Sequence, residues 1–162
     1  MQSRLMVVTA IGAALLVAAC GSGAQSTASA SPSTPPSPSP AANGTTIAVA
    51  SNAKLGQILV DGAGKTVYLF VADTGSSSTC YTTCAQIWPP VLTSGRPQAG
   101  TGANASLLGT TTRTDGKTEV TYAGHPLYYF VQDKATGDAT GQGVNGFGGL
   151  WWVVSPSGAA VH

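Results

Sequence analysis

Few side chains in this chain could carry out chemistry, and they fall into three groups. Two acids, Asp73 and Asp133, close similar segments sixty positions apart. A pair of carboxylates brought together can share one proton and act as an acid hydrolase. Cys80 and Cys84 have three residues between them. A redox dithiol normally has two, so the spacing weakens that use. His125 is the group with ready acid–base chemistry near neutral pH. It could join the cysteines in redox or metal work, although a metal needs more ligands and the other imidazole is His162. No nucleophile–base pair, phosphate loop or metal-ligand cluster is visible, so the sequence names no catalytic residue, metal or cofactor.

Each group also has a plainer use. Val71 to Ser77 (V-A-D-T-G-S-S) resembles the catalytic loop of aspartic proteases, but the copy reads Asp133-Lys134-Ala135, without the Thr-Gly. An aspartate that ends a strand by accepting from turn amides suits both positions. In an exported chain the cysteine pair is expected as a local Cys80–Cys84 disulfide that pins a turn. A turn histidine before proline is ordinarily exposed, and the position matching His125 is Lys65.

What must position these residues is a duplication. Gly64 to Asp73 reads G-K-T-V-Y-L-F-V-A-D, and Gly124 to Asp133 reads G-H-P-L-Y-Y-F-V-Q-D. Aligned without a gap they share the glycine, Tyr68/Tyr128, Phe70/Phe130, Val71/Val131 and the acid. Each is followed by a tryptophan segment, Ile87-Trp88-Pro89-Pro90 or Leu150-Trp151-Trp152-Val153. Self-similarity of this kind names the building unit.

Around these repeats the signals are for strands. Thr46–Ala50 and Gln57–Asp61 are short β-prone runs, and Gln57–Asp61 reads as a hairpin with Thr66–Ala72 across a Gly-rich turn. Tyr68 and Phe70 share one face of that strand, and Val67, Leu69 and Val71 the other. Both faces are apolar, which predicts a strand inside a sheet or sandwich. A short helical turn is expected over Cys80 to Ile87, stopped by Pro89-Pro90. Thr93–Ala103 reads as a loop, and Asn104 as the cap of a helical turn. Asp115-Gly116 between Thr110–Arg113 and Glu119–Ala123 is the clearest hairpin signal, continued by Leu127–Gln132 as a meander. Lys134–Gly149 is a long polar loop, and such loops are usually functional or mobile. The tryptophans Trp88, Trp151 and Trp152, with Tyr68, Tyr128, His125 and that loop, are the candidate binding surface, although core is the safer reading of the rings.

The first forty-odd residues give an address. Arg4 precedes an apolar run, Leu5–Val17, too short to span a bilayer and suited to a secretory leader over residues 1–19. The leader ends Val17-Ala18-Ala19-Cys20, which resembles the bacterial lipobox. That resemblance implies cleavage before Cys20, lipidation of its thiol and acylation of the new N-terminus, a stable anchor when two or more chains are present. Residues 20–45, rich in Ser, Thr and Pro, cannot bury enough to order themselves and read as a tether. Of the 162 residues, 43% are hydrophobic and 8% charged, with net charge +1. A core is therefore within reach, and nothing electrostatic favours nucleic acid.

Together with C-Y-T-T-C-A-Q-I-W-P-P, Y-A-G-H-P-L-Y-Y-F and L-W-W-V-V-S-P, the doubled Y-x-F-x-x-D resembles the bacterial predicted lipoproteins of the "secreted repeat of unknown function" family. The resemblance covers about Leu55 to Gly158. It implies a repeat architecture at the cell envelope and no established activity, with a loose association to alkane catabolism. The expectation is an all-β domain over 46–162, with units at 46–103 and 104–158, packed as two β-meander or hairpin repeats with a helical turn around 80–88. It would be lipid-anchored on the extracytoplasmic face of the cell membrane and would bind a small apolar or cell-wall ligand. The alternative is a redox or metal-handling protein using Cys80/Cys84 with His125.

Overall fold

The computed structural model describes residues 43–162. The leader, Cys20 and all of the tether up to residue 42 lie outside the described residues. The described part is an all-β domain with one short helix, α1 (Thr83–Ile87), and one 3-10 turn (Ala105–Leu107).

Nine strands form three small sheets. In chain order they are β1 (Asn43–Asn52), β2 (Gly56–Asp61), β3 (Tyr68–Phe70), β4 (Arg96–Ala99) and β5 (Leu108–Thr112). After these come β6 (Thr118–Tyr122), β7 (His125–Pro126), β8 (Asn145–Gly146) and β9 (Gly149–Val153). The sheet orders are β2-β1-β4, β3-β9-β8 and β5-β6-β7.

The Asp-Gly hairpin forms as its sequence dictates, with Thr112 opposite Thr118 and Gly116 at φ +79°. Asn104 caps the 3-10 turn by accepting from Ser106 N. Three expectations need correction. β1 begins at Asn43, before Thr46, because its edge is taken by β4 running parallel (Asn43 opposite Arg96, Thr46 opposite Gln98). Arg96–Ala99 is thus a strand rather than loop. β2 pairs chiefly with β1, and its expected hairpin with the next strand shrinks to the single bridge Val60–Thr66.

That hairpin is short because β3 is committed elsewhere. It pairs antiparallel with β9, placing Phe70 opposite Trp151 and Leu69 opposite Trp152. The tyrosine strand of the first unit therefore lies on the tryptophan strand of the second. The reverse holds too. Residues 127–131 lie along 87–91, joined by Tyr129 N→Pro89 O (2.8 Å), Val131 N→Ile87 O (3.1 Å) and Val91 N→Leu127 O (2.8 Å). This second pairing falls short of a regular ladder because Pro89 and Pro90 have no N–H to donate. Where the two exchanges meet, Tyr68 and Tyr128 donate backbone N–H to each other's carbonyls at 2.9 and 3.0 Å. The units are interlocked about an approximate twofold through these tyrosines.

The interlocked layer is buried on both sides, as the two apolar faces of β3 require. Tyr68 and Phe70 pack with Ile58, Trp88, Tyr128, Phe130 and Trp151 on one side. Val67 and Leu69 pack with Ile47, Leu59, Val120, Tyr122 and Leu127 on the other. Val71, at the strand's end, is left exposed.

Candidate functional site

Asp73 and Asp133 do not form a shared-proton pair. Each is held within its own loop and by the tyrosine of the other unit. Asp133 Oδ2 accepts from Tyr68 OH at 2.6 Å, and Asp73 Oδ2 accepts from Tyr128 OH at 2.7 Å. The remaining oxygens are also used. Asp73 Oδ1 accepts from the backbone and hydroxyl of Thr79, and Asp133 Oδ1 from those of Thr140. Burial first, then Asp133 beside Tyr68 and both Glu119 and Asp73 near Tyr128, push the two phenols well above their ordinary range. Each phenol keeps its proton and donates it to the carboxylate of the other unit, an arrangement that holds two loops to one core.

The aromatic members of the motif form a column. Phe70 stacks on Trp151, Trp151 on Trp88, and Trp88 on Phe130, with ring centroids 4.0, 4.0 and 4.1 Å apart. Tyr68 meets Trp88 edge-on, and Tyr128 meets Trp151 the same way. Trp88 and Trp151 are 1% and 0% exposed, so the surface role expected for them, and for Tyr68 and Tyr128, is overturned. Indoles this large go inside when a facing unit supplies rings to stack on. Trp152 points to the other side of β9, half-buried, against the His162 ring.

Each repeat thus consists of a hairpin, a tyrosine strand ending in an acid, a loop and a tryptophan segment. The family model described as a secreted repeat of unknown function matches the chain at residues 49–92 and again at 109–155. The two matches cover more than half of the chain. The chain belongs to this family. As a secreted repeat it works outside the cytoplasm, and each match spans one hairpin-to-tryptophan unit as the fold defines it. No curated protein and no solved structure matches the chain. Among the described residues no helix is long and apolar enough to cross a membrane.

In this secreted repeat protein the cysteines form the Cys80–Cys84 disulfide, Cα atoms 5.2 Å apart, at the start of α1. Both lie in the core beside Trp88. His125, half-buried, sits on β7 opposite Tyr122. Among the described residues no group of three His, Cys, Asp or Glu side chains is placed to hold a metal.

Sequence reasoning missed a buried ion pair. Arg113 Nη1 lies 2.7 Å from Glu119 Oε2, and both side chains are almost wholly buried. Arg113 also donates to Ser78 Oγ (2.8 Å) and Cys80 O (2.7 Å) and lies over the Tyr81 ring. Ser78 is within 2.7 Å of Tyr128 OH, so the guanidinium is wired to the tyrosine–aspartate bond. Burial raises the Glu119 carboxyl to about 7 against the opposing pull of Arg113. The available signal was an acid in the alternation of β6, where a core residue belongs. Tyr129 OH reaching Asp61 Oδ2 at 2.9 Å is a further tyrosine–aspartate bond between units, and Asp61 also caps its own turn.

The long loop after Asp133 is laid down rather than loose. Lys134 and Ala135 amides donate to Asp138, and Gly141 N donates to Tyr68 OH. Gln142 bridges Val153 N and Val161 O. Beside it, between the Ser51–Leu55 turn and residues 136–142, lies an open groove of about 630 Å³. Its walls carry Asn52, Lys54, Leu55, Thr136 and Gln142.

Proposed function

We propose that this protein is a non-enzymatic module of the cell envelope, anchored to the extracytoplasmic face of the membrane through lipid on Cys20. The anchor rests on the leader and on Val17-Ala18-Ala19-Cys20. Membership of a secreted repeat family is consistent with it. The non-enzymatic reading is carried by one observation: both oxygens of each motif aspartate are spent on Thr and Tyr partners, and the stacked rings are inside. The aspartates and cysteines that looked chemical are among the residues that hold the domain together.

A surface open to recognition is the groove beside the 136–142 loop, with the partly buried indole of Trp152 nearby against Gly143. Its lining mixes hydroxyl, amide and apolar groups with the charged Lys54 and Asp138, which suits a cell-wall saccharide first and a small apolar molecule such as an alkane second. Labelling cells with an alkynyl palmitate analogue tests the anchor. The native protein takes up label and sediments with membranes; Cys20→Ser does neither, and an unlabelled native protein refutes the anchor. For the ligand, amide resonances of residues 51–55 and 136–142 are followed against wall saccharides and short alkanes. Selective shifts support binding there, whereas a spectrum unmoved by every ligand leaves a purely structural module.

A further inference from the structure

All three face-to-face contacts in the aromatic column run from one unit to the other: Phe70–Trp151, Trp151–Trp88 and Trp88–Phe130. So do both motif tyrosine–aspartate bonds. Backbone bonds add Leu59 N→Val154 O and Val120 N→Val91 O, each 2.8 Å. Inside a unit the aromatic motif has one edge-on Tyr–Trp contact. The other intra-unit ties lie outside it: the hairpins, β4 on β1 and the disulfide in the first unit, β8 on β9 in the second. One unit alone would leave an indole and both edges of its tyrosine strand in water. The smallest object that buries them is a pair of units.

Among the described residues the covalent link between the units is short. β4 lies on β1 and so belongs to the first unit, and the second begins at the Asn104 cap. The hinge is Gly100–Asn104, with Gly102 at φ +77° packed on Val49. The disulfide closes within the first unit, so it does not tie the two together.

We infer that the surface joining the units also fits a second copy of this chain. Two molecules that straighten Gly100–Asn104 exchange second units and close a twofold dimer containing two complete aromatic columns. Every contact in that dimer repeats one already present, and the interface is self-complementary because the units are alike. The monomer is favoured by tethering, since a short connection gives an effective concentration on the order of millimolar. It is favoured also by the hinge bonds Gly100 N→Ile47 O and Val49 N→Thr101 O, which straightening gives up. Conditions that constrain the hinge, or that bring copies to comparable local concentration, reverse the preference.

Deleting Thr101–Ala103 from the full chain tests this and removes no fully buried residue. It gives up the Val49 N→Thr101 O bond and Ala103 at the edge of one core cluster. The expected product has twice the monomer mass by light scattering and an unchanged near-ultraviolet signal from the stacked indoles. A Gly/Ser extension at the same place stays monomeric. A deletion variant that remains a native-like monomer overturns the inference. Should the deletion variant not fold, a protease site inserted at residues 101–103 decides. After cleavage the halves stay together on gel filtration. Once denatured and renatured with a mass-labelled cleaved copy, they form hybrids. Halves that part, or that fail to form hybrids, refute it.

Discussion

The first unit's hairpin turns through Asn52–Gly56 and faces the 136–142 loop, while the second turns through Arg113–Lys117 and faces the 78–81 loop. By register Asn52 and Arg113 occupy matching places, and both reach across to the other unit's loop: Asn52 Nδ2 to Gly137 O at 3.0 Å, Arg113 Nη2 to Cys80 O at 2.7 Å. One step into the core, Ile58 of the first unit matches Glu119 of the second. The loops differ as well. One is pinned by a disulfide, the other by Gln142 and by Gly141 on the Tyr68 hydroxyl. The result is a filled end, where Arg113 lies on Tyr81, and an open end with the groove. Residues on the twofold are bound to remain alike because Trp88 stacks on its own counterpart Trp151, and each phenylalanine on the other unit's tryptophan. Residues away from it were free to become a buried charge on one side and a cavity on the other.

The twofold itself is the easiest part to break. Trp88→Ala and Trp151→Ala should each cost about 3–5 kcal/mol, and by similar amounts, read as the shift in denaturant midpoint. If one were tolerated and the other ruinous, the column would not be symmetric. The filled end gives the next effect, in pH. Glu119 holds its proton to about 7 when folded, above its ordinary 4.5, so its contribution to stability is complete below 4.5 and disappears as pH rises through 7. The loss should be about 3 kcal/mol across that window, and Glu119→Gln should flatten it. The open end has no such group and predicts no such slope.

Replacing both Cys80 and Cys84 with Ser should cost about 2 kcal/mol, the entropy of so small a closed loop, and reductant should reproduce it in the native protein. The two tyrosines supply the finest comparison. Tyr68→Phe strips a partner from Asp133, which is buried, and should cost about 2 kcal/mol. Tyr128→Phe strips one from Asp73, which is only half-buried, and should cost about 1 kcal/mol. Equal losses would mean that the two acids are equally shielded.

The repeat, the all-β class, the Asp115-Gly116 hairpin, the Asn104 cap and the disulfide were legible because each is written in neighbouring residues. The alternation of Tyr68 and Phe70 against Val67 and Leu69 correctly placed β3 between two apolar layers. Partner choice was not legible. Nothing local to Tyr68 says that it will pair beside Val153 or donate to Asp133, since these contacts close only when the second unit folds back through the first. The same blindness left Trp88 and Trp151 open to a surface role as well as a core one, and left the Arg113–Glu119 pair unnoticed within its hairpin. Arg96–Ala99 carries no strand signal of its own, and becomes one because β1 offers a free edge.

The crossed tyrosine–aspartate bonds bear on how such a gene can change. After most duplications one copy is at liberty to decay while its twin keeps the trait. Here Tyr68 answers to an acid 65 positions downstream, and Tyr128 to one 55 positions upstream. A lesion in either half is inherited as a fault in both, so selection sees the two repeats as a single locus.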